Sequence, residues 1–159
     1  GMLFFLAGSL YERYHTRVID DIGPGLMQKL PRMGSVFVFV AIASLGLPGL
    51  AGFWGEVFAL LAAFNPARGL SNPLFRTYMV LGGVGTILTA GYFLWLIQRL
   101  NLGQVRERWA NDTTILDIST GEWIAWAPLL LAVLAFGIYP RAIFDVTNAA
   151  VTGLTRVFG

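Results

Sequence analysis

The chain has 159 residues, of which 13% are charged and 56% hydrophobic, with a formal net charge of +2 and no cysteine. A soluble domain carries about 25% charged residues, so too little charge is present to coat a water-facing surface, and lipid is the expected outer solvent. The missing cysteines exclude disulfides, thiolate metal sites and a cysteine nucleophile, and the scattered Lys and Arg residues give no clustered surface for nucleic acid.

In chain order, residues 2–10 are apolar, with no basic residue before them and Glu12-Arg13 behind them. A signal peptide needs a basic start and a small-residue cleavage site, whereas a spanning helix needs roughly 20 residues. Residues 2–14 therefore read as the end of a spanning helix, and the chain as a fragment whose own subunit continues N-terminal to Gly1.

Residues 34–64 form the next apolar segment, and between 35 and 63 the single charge is Glu56. As one helix this stretch would run about 43 Å, against a hydrocarbon core of roughly 30 Å. Leu47-Pro48-Gly49 interrupts it, because Pro48 lacks a backbone donor and pushes Leu47 out of the α region. The reading is one broken spanning helix. Freed backbone groups are tolerated in a membrane where protein or a cavity surrounds them, so the break calls for neighbouring helices.

Residues 77–98 form a second span, in which Gly82, Thr86 and Ala90 make a small-residue face for close helix packing. Residues 121–139 form a third, ending at Tyr139-Pro140, and 141–158 suit an interfacial helix. The expected fold is an all-α transmembrane bundle: the end of one helix, one discontinuous helix and two further spans, in a single membrane domain. Seven basic residues fall in the connections 11–33 and 99–120, against Arg68, Arg76, Arg141 and Arg156 on the opposite side. The excess of positive charge places those two loops in the cytoplasm and the C-terminus outside.

Glu56 is the ionisable group within a span, and such groups mark proton or ion pathways. Gly52, Gly55, Ala59 and Ala63 surround it with small residues at helical spacing, which turns it toward another helix. A carboxyl group there can exchange a proton; the alternative is a side chain that merely hydrogen-bonds a neighbouring helix. Broken helices commonly build transport sites near the midplane, which favours the first. Ser119-x-x-Glu122 has the form of a capping box, so Glu122 reads as structural. His15 lies in a polar loop without a metal-binding partner, and Asp20 and Asp21 read as solvated. Asn111-Asp112-Thr113 has the form of a glycosylation sequon but falls on the inner side. Trp109, Trp123 and Trp126 suit the aromatic belt of a membrane interface.

The stretches Leu10-Tyr11-Glu12-Arg13-Tyr14-His15-Thr16-Arg17, Ala43-Ser44-Leu45-Gly46-Leu47-Pro48-Gly49-Leu50-Ala51-Gly52-Phe53-Trp54-Gly55-Glu56 and Gly137-Ile138-Tyr139-Pro140, with Ile143-Phe144-Asp145, resemble a known group. This is the antiporter-like family containing subunit M of respiratory NADH:quinone oxidoreductase (complex I), its mitochondrial counterpart subunit 4, and Mrp-type cation/proton antiporters. The resemblance implies that the chain holds the end of the family's helix 11, its broken helix 12, and helices 13 and 14. It also implies a proton-transfer role for Glu56, which matches the family's acid on the broken helix; an acid rather than a lysine there favours the subunit M branch. The family's acid–lysine pair and central lysine lie on earlier helices. Expected partners are the lipid bilayer, neighbouring membrane subunits of complex I and the remainder of the same subunit, with no cofactor in this chain and no nucleic acid. The expected location is a bacterial plasma membrane. The alternatives are an Mrp-type antiporter subunit and a structural membrane subunit without proton transfer of its own.

Overall fold

A computed structural model describes residues 1–67 and 69–158, with the backbone alone at 149, 150 and 154–158. Arg68 and the Arg156 side chain, two of the four charges counted on the outer side, lie outside the described residues. The described residues are helical and contain no strand. In order they form α1 (Met2–Tyr14), α2 (Ile19–Ile22), α3 (Leu26–Lys29), α4 (Pro31–Ser44), α5 (Ala51–Phe64), α6 (Asn72–Leu96), a π turn (Ile97–Asn101), α7 (Glu107–Ala110), α8 (Thr120–Ile138) and α9 (Arg141–Phe158).

Met2, Leu6, Ser9, Leu10 and Tyr14 are the buried residues of α1, a stripe at helical spacing. They pack with Met33, Val36, Phe37 and Val40 of α4 and with Trp126 of α8. The core continues into the connections, through Ile22, Leu26, Leu30, Leu100, Trp109, Ile115 and Ile118. Trp109 packs edge-on to Tyr14 at 5.1 Å and donates its indole N–H to the Asp21 carbonyl at 3.0 Å. Trp126 is 3% exposed. These two rings therefore sit in the core and not on an outward-facing belt, and for Trp109 the Asp21 carbonyl takes the indole N–H that a belt position would leave exposed.

The first turn of α4 is closed from far along the chain. Pro31 opens the helix, where its missing N–H costs nothing. The next two amides, of Arg32 and Met33, donate to the two carboxylate oxygens of Asp117 at 2.8 and 3.0 Å. A carboxylate there also meets the positive end of the helix dipole. Lys29 reinforces the junction by donating to the Ala110 and Asp112 carbonyls.

The longer apolar helices are exposed where the connections are not. With its π turn, α6 forms a 30-residue apolar segment, and α8 a 19-residue one, each long and apolar enough to cross a membrane. Phe93 is the buried residue of α6, and α5 has none. Ile87 and Ile124 each expose 71% of their surface. Apolar surface of this extent is matched by lipid or by other membrane helices, since water would penalise it. The α5–α6 contact uses Gly82, where an added Cβ would come within 3.1 Å of Leu60.

Candidate functional site

Between Ser44 and Ala51 the helix is interrupted. Leu45 still donates to Ala41 and Ile42, after which Gly46 turns to φ +70° and Gly49 to φ +92°. Leu47 and Pro48 stand exposed at the apex, and Leu50 donates back to the Leu47 carbonyl at 3.1 Å. The C-terminal end of α4 and the N-terminal end of α5 thus meet at the break, each with partial charge of about half an electron and opposite sign.

Glu56 lies in the second turn of α5 and is half-buried. Its carboxylate packs against the Cα of Gly46, so closely that a Cβ at position 46 would collide with it. Among the described residues it has no hydrogen-bond or ion-pair partner. Gly46 is therefore required twice, for its left-handed backbone and for the space it leaves the carboxylate. Gly52 faces the same gap, where an added Cβ would approach the Ala43 carbonyl to 3.0 Å. Ala63 is half-buried, while Gly55 and Ala59 lie on the exposed side of α5.

A second set of contacts fixes the break against α8. The Gly49 carbonyl and Leu50 Cα occupy the space a side chain at Gly137 would need. Trp54 donates its indole N–H to the Gly137 carbonyl at 2.8 Å. Its ring stacks on Phe58, and both rings meet Phe144 of α9 edge-on at 6.4 and 5.2 Å. The turn preceding Glu56 is thereby held between the end of α8 and the start of α9. Trp54 and Gly137 carry no signal as site residues in composition or spacing. They stand inside the two motifs of the family resemblance.

At the opposite end of α8, Ser119 and Glu122 form the capping box predicted from their spacing, with Ser119 N–H donating to Glu122 at 2.7 Å and Glu122 N–H to the Ser119 hydroxyl at 3.3 Å. Glu122 also pairs with Arg13 of α1, whose two terminal nitrogens reach the two carboxylate oxygens at 2.9 and 2.8 Å. Ser9 donates its hydroxyl to Glu122 and accepts from Arg13. Arg13 completes its donors on the Leu116 and Asp117 carbonyls. His15 is exposed at the end of α1, Asp20 pairs with Arg99, and Asp21 accepts from Thr16. Asp112 accepts from both the amide and hydroxyl of Thr114, which holds its carboxyl below the usual range. No group of three or more His, Cys, Asp or Glu residues suited to a metal ion occurs among the described residues.

The family model for NADH:quinone oxidoreductase/Mrp antiporter transmembrane proteins matches residues 1–93, a stretch that includes α1, the break and Glu56. The chain is similar to NADH-quinone oxidoreductase subunit M of Rhodobacter capsulatus, 36% identical over 156 residues, covering 98% of this chain and 28% of that protein. It is also similar to NAD(P)H-quinone oxidoreductase chain 4-1 of Synechocystis sp., 33% identical over 97% of this chain and 29% of the relative. With chain 4 of Acaryochloris marina it is 32% identical over 96% and 28%. The chain thus spans less than a third of the length of these curated relatives. An all-helical membrane bundle, an interrupted helix carrying an acid and these similarities converge, and the chain belongs to the transmembrane family shared by NADH:quinone oxidoreductase and Mrp antiporters.

Proposed function

We propose that this chain supplies part of a proton path in the membrane arm of a complex I-type NADH:quinone oxidoreductase, with Glu56 as the proton-carrying group. One observation carries the reading: an acid on an apolar helix lies against the Gly46 turn of an interrupted helix, with no cation beside it among the described residues. A paired or capped acid, such as Glu122, is held in one state by its partners. Among the described residues Glu56 stands without such partners at the meeting point of two helix ends, a placement that suits a proton-carrying group. Intramembrane acids and broken helices support that use. Redox chemistry belongs to other subunits, and this chain contributes proton transfer and helix packing as a translocase component. The bilayer, adjacent membrane subunits and the remainder of its own subunit are the partners, and packing beside Gly55 and Ala59 is theirs to supply. The loops at 11–33 and 99–120 face the cytoplasm of a bacterial plasma membrane, with the C-terminus outside.

The test compares wild type, Glu56→Gln and Glu56→Asp in the parent complex in membrane vesicles, recording proton uptake per NADH oxidised and assembly on native gels. Gln is expected to lower proton uptake or coupled turnover in a fully assembled complex, with Asp retaining most of it. A Gln variant that assembles and pumps like wild type assigns Glu56 a structural role instead. The family description also covers Mrp antiporters, and sodium-dependent proton movement without NADH would favour that branch.

A further inference from the structure

At the end of α6 a cavity of about 430 Å³ opens between the π turn, the α2 segment and the 102–119 connection. Its volume lies within the range of about 300–1,000 Å³ usual for small-ligand clefts. Asp20, Gly23, Trp95, Gln98, Arg99 and Arg106 are among the residues that line it. Arg99 pairs with Asp20 at 2.6 Å and lies 5.0 Å over the Trp95 ring, which places its charge at the cavity wall. The Arg106 side chain lies across Gly23, where an added Cβ would sit 2.7 Å from its Cδ and 2.9 Å from its Cγ. Among the described residues, neither the Arg106 guanidinium nor the Gln98 amide has a hydrogen-bond or ion-pair partner. Two arginines against one aspartate leave the cavity one positive charge.

Trp95 of the cavity lining also stands on an exposed apolar face. Leu81, Leu88 and Trp95 recur every seventh residue on one face of α6, and each is at least half exposed. From Leu81 to Trp95 the helix rises about 21 Å, more than the roughly 15 Å that is half of the hydrocarbon core. Tryptophan at the end of a span marks the headgroup level. Guanidinium groups bind phosphate through paired charged hydrogen bonds, and basic pockets between membrane helices bind anionic headgroups.

We infer that this cavity is a binding site for an anionic phospholipid, with its single phosphodiester on Arg106 and Gln98 and an acyl chain along the Leu88–Leu81 face. The net positive charge of the cavity matches one phosphodiester and disfavours a headgroup carrying its own cation. The site does not depend on proton transfer by Glu56. Failure of either assignment leaves the other standing.

The experiment uses the purified parent complex with photoreactive acyl-chain analogues of phosphatidylglycerol and phosphatidylcholine, and maps the labelled peptides by mass spectrometry. Phosphatidylglycerol is expected to label the segment 81–99 in preference to phosphatidylcholine. Arg106→Gln should reduce that labelling about fivefold, while Arg106→Lys retains part of it and Arg108→Gln leaves it unchanged. Native gels establish that each variant complex is assembled. Equal labelling by both lipids, unchanged labelling in Arg106→Gln, displacement by inorganic phosphate, or no label at 81–99 because protein covers the cavity would each overturn the assignment.

Discussion

Removing Arg13 or Glu122 should loosen the junction of α1 and α8 far more than a surface ion pair would. Exposed pairs contribute about 0–1 kcal/mol, whereas breaking a buried pair costs about 3–5 kcal/mol. The two side chains here are 13% and 21% exposed, so they stand nearer the buried limit. Arg13 additionally holds two carbonyls of the 111–119 connection, and Glu122 additionally caps α8. About 2–3 kcal/mol for Arg13→Met or Glu122→Gln is the resulting expectation. Hydrogen exchange by mass spectrometry on the assembled complex reads this locally. In peptides covering 114–123, a loss of that size speeds exchange about 30–140-fold. The Arg13→Met/Glu122→Gln double variant should lose less than the sum of the single variants, because neither charge is then left unpaired. Exchange altered less than about threefold in either single variant, or effects that simply add, would refute the claim that this pair holds the two helices together.

Three further substitutions test the break and its supports. Gly137→Ala forces a methyl group into the Gly49 carbonyl and Leu50 backbone; overpacking of this kind costs about 1–3 kcal/mol, and lower thermal resistance of the complex on native gels should report it. Gly46→Ala combines a left-handed backbone, costing about 1–2 kcal/mol for a residue with a Cβ, with displacement of the Glu56 carboxylate. It should lower proton uptake per NADH in complexes that still assemble, and unchanged uptake would separate Gly46 from the site. Asp117→Ala strips the first turn of α4 of its two carboxylate contacts, and about 0.5–2 kcal/mol of lost cap should appear as faster exchange at residues 31–36 with little change in α6.

The interruption was legible because proline and glycine within an apolar run have a local meaning. The capping box was legible because its two partners are three residues apart. Partners separated by packing were not. Ser9 and Arg13 reach Glu122 from 113 and 109 residues away, and nothing in the local pattern of Ser119-x-x-Glu122 distinguishes a cap alone from a cap within an ion pair. A tryptophan in or beside a connection suits either a headgroup layer or a core, and for Trp109 and Trp126 the packing of α1, α4 and the connections decides for the core. The apolar span read at 77–98 lies inside a longer helix, which opens at Asn72. Pro73 marks the entrance of that helix. The short helices α2, α3 and α7 are not legible in the sequence because four residues carry no periodicity. Glu56 was legible as a charge in an apolar segment, but its contact with Gly46 depends on how the interrupted chain turns.

Asp117 also imposes an order on folding during synthesis. The amide of Arg32 receives its carboxylate from 85 residues downstream. At about 5–20 residues per second, the ribosome delivers that carboxylate roughly 4–17 s after the amide itself. Throughout that interval the entrance to α4 must rely on water or another factor, while α5 and α6 are made and inserted. A nascent chain stopped before Asp117 would hold the helices of this region with the α4 entrance still open, and a chain extended past Ile118 could close it.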